Sequence, residues 1–300
     1  MILVTGATGQ FGKSAIDFLL KRGVALTSIV ALVRDNEKAS DLINKGLSLR
    51  IGDYDNYNTL LHAFRGVEKL LFVSSSDIVN RTTQHKNVVM AAKEAGVKHI
   101  VYTSFLGTNE TETSPLWIVV ESHLKTEAFL KESGLDYTIL KNTLYMDFVP
   151  AFLGEKVVET GAIYLPAGNG RVGAVLRSEM AEASANILTS DNHTGKTYQI
   201  TSHEAFSYQE VAQELSEITG KTINYISPSA NEYVQTLTEH GLPAEYIGLF
   251  TGFAVAQANG ELELVGSDLE QLLGRKPTSV KKFLNQVYSS SKYRPFLLKK

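Results

Sequence analysis

Cysteine is absent from the 300 residues of this chain. Its absence excludes structural disulfides, thiolate metal sites and cysteine nucleophiles, and leaves the compartment open. An excess of one charge is missing too. The 29 basic and 32 acidic side chains give a net charge of −3, and neither sign forms a long block, so no nucleic-acid partner is expected. No apolar run approaches the length of a membrane span, and the chain starts with a core strand rather than a charged leader, so the expectation is a cytoplasmic protein with no membrane partner. His62, His85, His99, His123, His193, His203 and His240 are scattered, with no His-Glu-x-x-His spacing, so no metal site is expected. There is no internal repeat or low-complexity tract, apart from Ser289-Ser290-Ser291 in a tail. The chain does have 43% hydrophobic residues, enough for one large α/β domain with an appended lobe.

The densest signal lies at the start. Ile2-Leu3-Val4-Thr5 reads as a short buried strand, and Gly6-Ala7-Thr8-Gly9-Gln10-Phe11-Gly12 as a glycine-rich turn opening a helix. Such a turn lets backbone N–H groups approach a pyrophosphate, and the helix points its positive end at the same anion. The context favours a ligand over a bare β–α turn, because the amphipathic run Lys13–Leu20 and a second strand, Ser28–Val33, follow. Gly6, Thr8, Gly9, Gln10, Phe11 and Gly12 are therefore expected to hold a dinucleotide.

Strand-like runs at Leu47–Ile51, Lys69–Val73, His99–Thr103 and Tyr137–Leu140 alternate with helical spacing at Tyr57–Phe64, Thr82–Glu94 and Trp117–Lys131. The alternation predicts a doubly wound parallel sheet with helices on both faces. Gly96 and Gly134 stand where two helices need a left-handed C′ residue. Beyond Asn142 the rhythm changes. Helices near Ser178–Leu188, Ser207–Thr219, Asn231–His240, Ala244–Ala258 and Ser279–Tyr288 are separated by strands at Ala162–Leu165, Lys196–Ile200 and Thr222–Ile226. The reading is a Rossmann dinucleotide-binding domain over residues 1–142 and a smaller α+β substrate lobe over 143–300, interleaved with it.

Thr5–Gly12, Leu32-Val33-Arg34-Asp35, Gly52-Asp53-Tyr54, Gly66-Val67-Glu68, Ser74-Ser75-Ser76, Ala95-Gly96-Val97-Lys98 and Tyr102-Thr103-Ser104 together resemble the NmrA-like branch of the atypical short-chain dehydrogenases. Within it, the chain is most similar to bacterial NADPH-dependent quinone reductases and triphenylmethane reductase. The likeness runs over nearly the whole length, since Gly168-Asn169-Gly170, Arg177-Ser178-Glu179-Met180-Ala181 and Gly274-Arg275-Lys276-Pro277-Thr278 also match family landmarks. The resemblance implies an NADPH cofactor, a two-electron acceptor and Asp53 among the cofactor-binding residues. Flavin is not implied.

The end of the second strand bears on the choice of nicotinamide. An acidic residue there would bond the ribose hydroxyls of NAD, whereas an arginine offers a planar fork to the 2′-phosphate of NADP. Here Arg34 comes first and Asp35 follows, so the two signals compete. In the resembled family the arginine takes the phosphate. The expectation is NADPH, with NADH less favoured.

The usual short-chain dehydrogenase acid, a tyrosine four residues before a lysine on the helix after the fifth strand, is missing. Tyr137–Lys141 has the spacing but lies in a strand, where four residues span roughly 13 Å. Tyr288–Lys292 belongs to the tail. On the correct helix, taking Glu127 as the superfamily's acidic position, Val119 stands where the tyrosine would be and His123 where the lysine would be. This disfavours alcohol–ketone interconversion and sugar epimerisation, because an alkoxide needs a positioned proton donor. A quinone needs less help, since hydride addition yields a delocalised phenolate that water can protonate, and a cationic dye is simply neutralised.

What remains to position the rings lies at strand ends. Ser74, Ser75, Thr103 and Ser104 are expected at the cofactor, while Asn142 would fix the nicotinamide or the acceptor carbonyl and Tyr145 would cap the site. The competing reading has these hydroxyls and amides capping helices and loops. His123 either replaces the lysine, contacting the ribose or supplying a proton near neutral pH, or packs beside the sheet. Phe105-Leu106-Gly107, Tyr145–Val149 and Gly248–Phe253 suit an unsaturated ring, with core packing an equal claim on Phe250 and Phe253, and the polar run Thr108–Ser114 reads as a flap. The function so read is direct hydride transfer from NADPH to a small quinone-like or dye-like acceptor. The alternative is a non-catalytic NAD(P)-binding redox sensor that engages another protein. An oligomer is compatible with either.

Overall fold

A computed structural model describes residues 1–289. In chain order its main elements are β1 (Ile2–Val4), α1 (Gln10–Lys21), β2 (Ile29–Val33), α2 (Ser40–Asn44), β3 (Ser48–Ile51), α3 (Tyr57–Ala63), β4 (Lys69–Phe72), α4 (Arg81–Ala95), β5 (His99–Phe105), α5 (Trp117–Ser133) and β6 (Asp136–Asn142). They continue with α6 (Val149–Leu153), α7 (Val157–Thr160), β7 (Ala162–Tyr164), α8 (Arg177–Leu188), β8 (Lys196–Ile200), α9 (Tyr208–Thr219), β9 (Asn224–Ile226), α10 (Ala230–Glu239), α11 (Ala244–Ala258), α12 (Asp268–Leu273) and α13 (Val280–Tyr288).

Seven parallel strands form the main sheet in the order β3-β2-β1-β4-β5-β6-β8. Because side chains alternate along a strand, its two faces feed two cores. Val4, Ala31, Leu71, Val101 and Leu140 pack with Ala15, Ile16 and Leu19 of α1 and Met180 and Ile187 of α8. On the other face Leu3, Val30, Leu70, Ile100 and Ile139 pack with Leu60 of α3, Val88 and Ala92 of α4 and Leu130 of α5. Gly96 and Gly134 take the expected left-handed conformation after α4 and α5, with φ of 75° and 78°.

The chain leaves this sheet after β6, as the sequence suggests, but returns to it. Lys196–Ile200, read as a strand of the smaller lobe, is the seventh strand of the main sheet, parallel to β6. Helix α8, also assigned to the lobe, packs on α1. Strand β8 completes one edge of the sheet and α8 covers its middle beside α1, and the apolar pattern of neither carries a label for the partner it joins. The lobe proper is built around the parallel pair β7–β9, with a core that includes Phe152, Ile163, Val211, Leu215, Phe250 and Phe283. Capping boxes of Ser207 with Glu210 and Ser229 with Glu232 start its α9 and α10. The short helices α2, α6, α7 and α12 carry too few turns to show a period and escape the sequence reading.

Gly170 has a steric reason to be glycine, because a Cβ there would lie 1.9 Å from the Gln257 carbonyl oxygen of α11. Residues 168–176 thus thread tightly between the lobe and the sheet edge, where Val175 bridges to Tyr145.

Candidate active site

The glycine turn folds as its composition requires. Gly6 sits at a positive φ of 57°, and a Cβ on Gly12 would lie 2.4 Å from the Gly6 carbonyl oxygen. Only glycine allows α1 to start so close to the loop. Gly9 caps α1 without a side-chain hydrogen bond, which leaves first-turn N–H groups, as at any helix start, free for an anion. Thr8, Gly9 and Gln10 are exposed along this rim, whereas the Phe11 side chain is buried against the sheet and can offer a ligand only its backbone. Behind the turn, the Tyr54 hydroxyl bonds to Thr5 Oγ1 and donates to the Val73 carbonyl (2.8 Å), tying the ends of β1 and β4 together.

Arg34 and Asp35 differ in what they are paired with. Asp35 Oδ1 accepts from the backbone N–H groups of Glu37 (3.1 Å) and Lys38 (3.3 Å), so one oxygen of its carboxylate is engaged by the turn after β2. Arg34 is exposed beside it and pairs with no acid among the described residues. Asp53 likewise caps its own loop, accepting from the Asp55 N–H at 3.1 Å, and remains partly accessible.

At the other end of the cleft, Thr103 and Ser74 support each other, with the Ser74 N–H donating to Thr103 Oγ1 at 2.9 Å. Ser104 faces the opposite side of β5 and donates to the buried Glu127 at 2.6 Å. Asn142 is 1% exposed at the end of β6, yet neither its Oδ1 nor its Nδ2 makes a well-formed hydrogen bond, and the polar group that its carboxamide reaches is the Tyr145 phenol, whose ionised form it favours. An unpaired buried carboxamide is costly, about 1–3 kcal/mol for each orphaned group. Tyr145 follows it, partly buried and stacked on Phe148 with ring centroids 6.0 Å apart. Burial pushes its phenol pKa up, with the Arg177 charge opposing.

Arg177 has a role that the sequence alone does not assign. Its guanidinium lies 4.8 Å above the Tyr145 ring and donates to the Gln10 carboxamide oxygen, so it spans from the capping tyrosine to the rim of the glycine turn. Asp147 holds the start of α8 by accepting from the Arg177 N–H at 2.7 Å. A basic residue heading a helix straight after an apolar run was the available signal.

Of the two readings of His123, the packed one describes its surroundings. The side chain is 6% exposed within a polar network under the Ser74–Ser76 loop. Arg81 can only donate, so His123 Nε2, 3.3 Å from its Nη1, must be the lone-pair nitrogen, and the ring proton sits on Nδ1, 2.7 Å from the Tyr102 hydroxyl. The Ser75 N–H fixes His85 the same way, donating to Nε2 at 2.9 Å and leaving the Nδ1 proton for Thr126 Oγ1, also at 2.9 Å. Protonating either ring would aim a new N–H at an existing one. Burial, reinforced by the Arg81 charge, accordingly pushes His85 down to about 3 and His123 well below its ordinary range. The proposed neutral-pH proton supply from His123 does not fit this geometry.

Phe105 and Phe253, whose rings meet edge to face at 6.2 Å, are partly buried against the lobe core, to which Phe250 belongs. The run 108–114, read as a flap, is pinned. Glu261 accepts from the Thr108 N–H at 3.0 Å through its backbone, and from Asn109 Nδ2 (3.2 Å) and Ser114 Oγ (2.6 Å) through its carboxylate. Among the described residues no helix is long and apolar enough to cross a membrane and no His, Asp or Glu cluster could hold a metal.

A quinone oxidoreductase 2 of Escherichia coli (strain K12) is 35% identical over 96% of this chain and 99% of its own length. The crystal structure of Citrobacter sp. triphenylmethane reductase complexed with NADP(H) superposes with a TM-score of 0.89 at 39% identity, covering 95% of this chain and 99% of that one. An NADPH-dependent quinone oxidoreductase from E. coli complexed with NADPH gives a TM-score of 0.88 at 35% identity, over 96% and 100%. The NmrA-like family profile matches residues 1–284, so the chain belongs to the NmrA-like family.

Proposed function

We propose that this protein is an NADPH-dependent reductase that passes a hydride directly to a quinone-type acceptor, by positioning rather than by acid–base catalysis. The observation that carries the reading is Asn142, a fully buried carboxamide that makes no well-formed hydrogen bond and has the Tyr145 phenol beside it, standing at the strand end where a doubly wound fold binds its ligand. Two adjoining polar orphans match a carboxamide or a carbonyl presented by a bound ring. The quinone and NADPH relatives support the acceptor class and the cofactor.

The residues present fit the dinucleotide. The N–H groups at the start of α1 would receive the pyrophosphate, and Arg34, left free by Asp35, the 2′-phosphate. Asn142 would hold the carboxamide of the nicotinamide or the carbonyl of the acceptor, with Tyr145 and Arg177 closing the cleft from the Gln10 side. When bound, the reduced nicotinamide supplies the hydride. No protein acid follows it, because His123 keeps its proton in the core, and the phenolate product takes a proton from water.

Anaerobic consumption of NADPH by the purified, flavin-free protein, with and without a simple benzoquinone, tests the reading. Saturable, quinone-dependent consumption that prefers NADPH to NADH is expected. Tight NADPH binding without turnover on quinones or dyes would replace it with the dinucleotide-sensor reading.

A further inference from the structure

The polar network under Ser75 contains one permanent charge. Arg81, the first residue of α4, is 6% exposed. Its Nε donates to the Ser75 carbonyl at 2.8 Å, and its Nη1 lies 3.3 Å from His123 Nε2 and 3.4 Å from Ser122 Oγ. All these partners are neutral. Among the described residues no carboxylate lies within ion-pairing distance, and the acid whose field reaches it, Asp77, is engaged by Asn80 (2.9 Å) and Gln84 (3.2 Å). Buried cations are normally paired, and a guanidinium cannot shed its proton to escape.

Its location gives the unpaired charge a use. Arg81 touches the loop after β4 and helix α5, and its field reaches Tyr145 after β6. These three segments surround the end of the cleft opposite Arg34, where Phe105 lies 6.3 Å from the His123 ring and where the acceptor of the proposed reaction would approach. We propose that Arg81 selects the charge type of the acceptor, favouring neutral acceptors that become anionic on reduction, quinones, over acceptors that are already cationic. This rests on the reductase reading above.

Reduction of a quinone moves two electrons and one hydrogen nucleus onto it and leaves NADP⁺. The hydroquinone monoanion so formed takes its second proton from water. Its negative charge develops beside Arg81 in a site of low polarity, where a fixed cation is worth far more than in water. A cationic dye is repelled on entry and loses its charge in the reaction, so the same guanidinium disfavours both steps. The protein's own acid–base groups do not blur the effect, since His85 and His123 stay neutral and the Tyr102 and Tyr145 phenols are pushed up by burial.

Two measurements on wild type, Arg81→Gln and Arg81→Lys test this, with thermal melting and NADPH affinity checking that each variant is folded. In steady state, Arg81→Gln is expected to lower kcat/KM for benzoquinone by about 100-fold while leaving or raising kcat/KM for a cationic triphenylmethane dye, and Arg81→Lys to keep most of the quinone rate. The second needs no turnover: 4-nitrophenol bound to the NADP⁺-loaded protein should show its phenolate absorbance at lower pH in wild type and Arg81→Lys than in Arg81→Gln. Equal losses on quinone and dye, or a nitrophenol that ionises identically in all three, would overturn the proposal. A wild type that shifts nitrophenol but reduces no acceptor would refute the reductase reading while upholding anion recognition by Arg81.

Discussion

At the adenosine end of the cleft, the groups that would face the ligand are backbone N–H groups from one stretch, residues 6–12, with Arg34 beside them. At the acceptor end, Ser75, Arg81, Tyr102, His123, Asn142 and Tyr145 are contributed by separate segments. The first end depends on conformation that glycines impose locally, and a change there fails for steric reasons. The second depends on which side chains the fold leaves unpaired or holds neutral, and a change there shifts selectivity and pH response while the chain stays folded.

The largest effect is expected at the glycine turn. Gly12→Val would drive a side chain into the Gly6 carbonyl, which a Cβ already meets at 2.4 Å, and relief requires moving α1. Overpacking of this kind costs about 1–3 kcal/mol or more, and the displaced N–H groups should abolish detectable NADPH binding by fluorescence titration. Binding at wild-type affinity would show that the turn does not hold the pyrophosphate.

Arg34→Ala should come next. Losing charge-assisted bonds of about 1.5–3 kcal/mol would weaken NADPH affinity by roughly 10- to 100-fold and leave NADH nearly unchanged. An unaltered NADPH:NADH ratio removes Arg34 from the site.

Asn142→Leu sharpens the contrast between the two ends, since it should act in opposite directions on stability and function. Replacing a buried amide that makes no well-formed hydrogen bond with an apolar group of similar size should raise the melting temperature of the ligand-free protein, by about 1–2 kcal/mol of stability, while lowering turnover. A fall in both would mean that the carboxamide is satisfied without ligand.

The smallest effect concerns pH. With His123 held neutral, the kcat profile should be flat between about pH 6 and 8, and His123→Gln should introduce no change of shape. Stability behaves differently. His85 has a folded pKa of about 3 against an ordinary 6.5, so the unfolded chain binds the extra proton and stability is full above 6.5 and lost as pH falls from 6.5 towards 3. Denaturant titrations should show this decline at up to about 1.4 kcal/mol per pH unit, reduced in His85→Gln.

Much of the fold was legible because its signals are short-range. The glycine turn, the αL residues Gly96 and Gly134 and the alternation to Asn142 each specify conformation within a dozen residues. The return of Lys196–Ile200 to the main sheet was not, since an alternating strand fits any open edge. The same limit applied to the site. That Asn142 makes no well-formed hydrogen bond and that Arg81 and His123 share a buried network are facts of pairing across distant segments, and pairing is what a single sequence does not display.

The central claim is direct hydride transfer without a protein acid, and isotope effects test it most directly. With NADPH deuterated at the transferred position, anaerobic single-turnover reduction of benzoquinone should slow by a primary effect, whereas changing H₂O for D₂O should leave the rate nearly unchanged. A large solvent effect with a titrating inflection near neutral pH would contradict the account, because it would reveal a proton donor in the rate-limiting step.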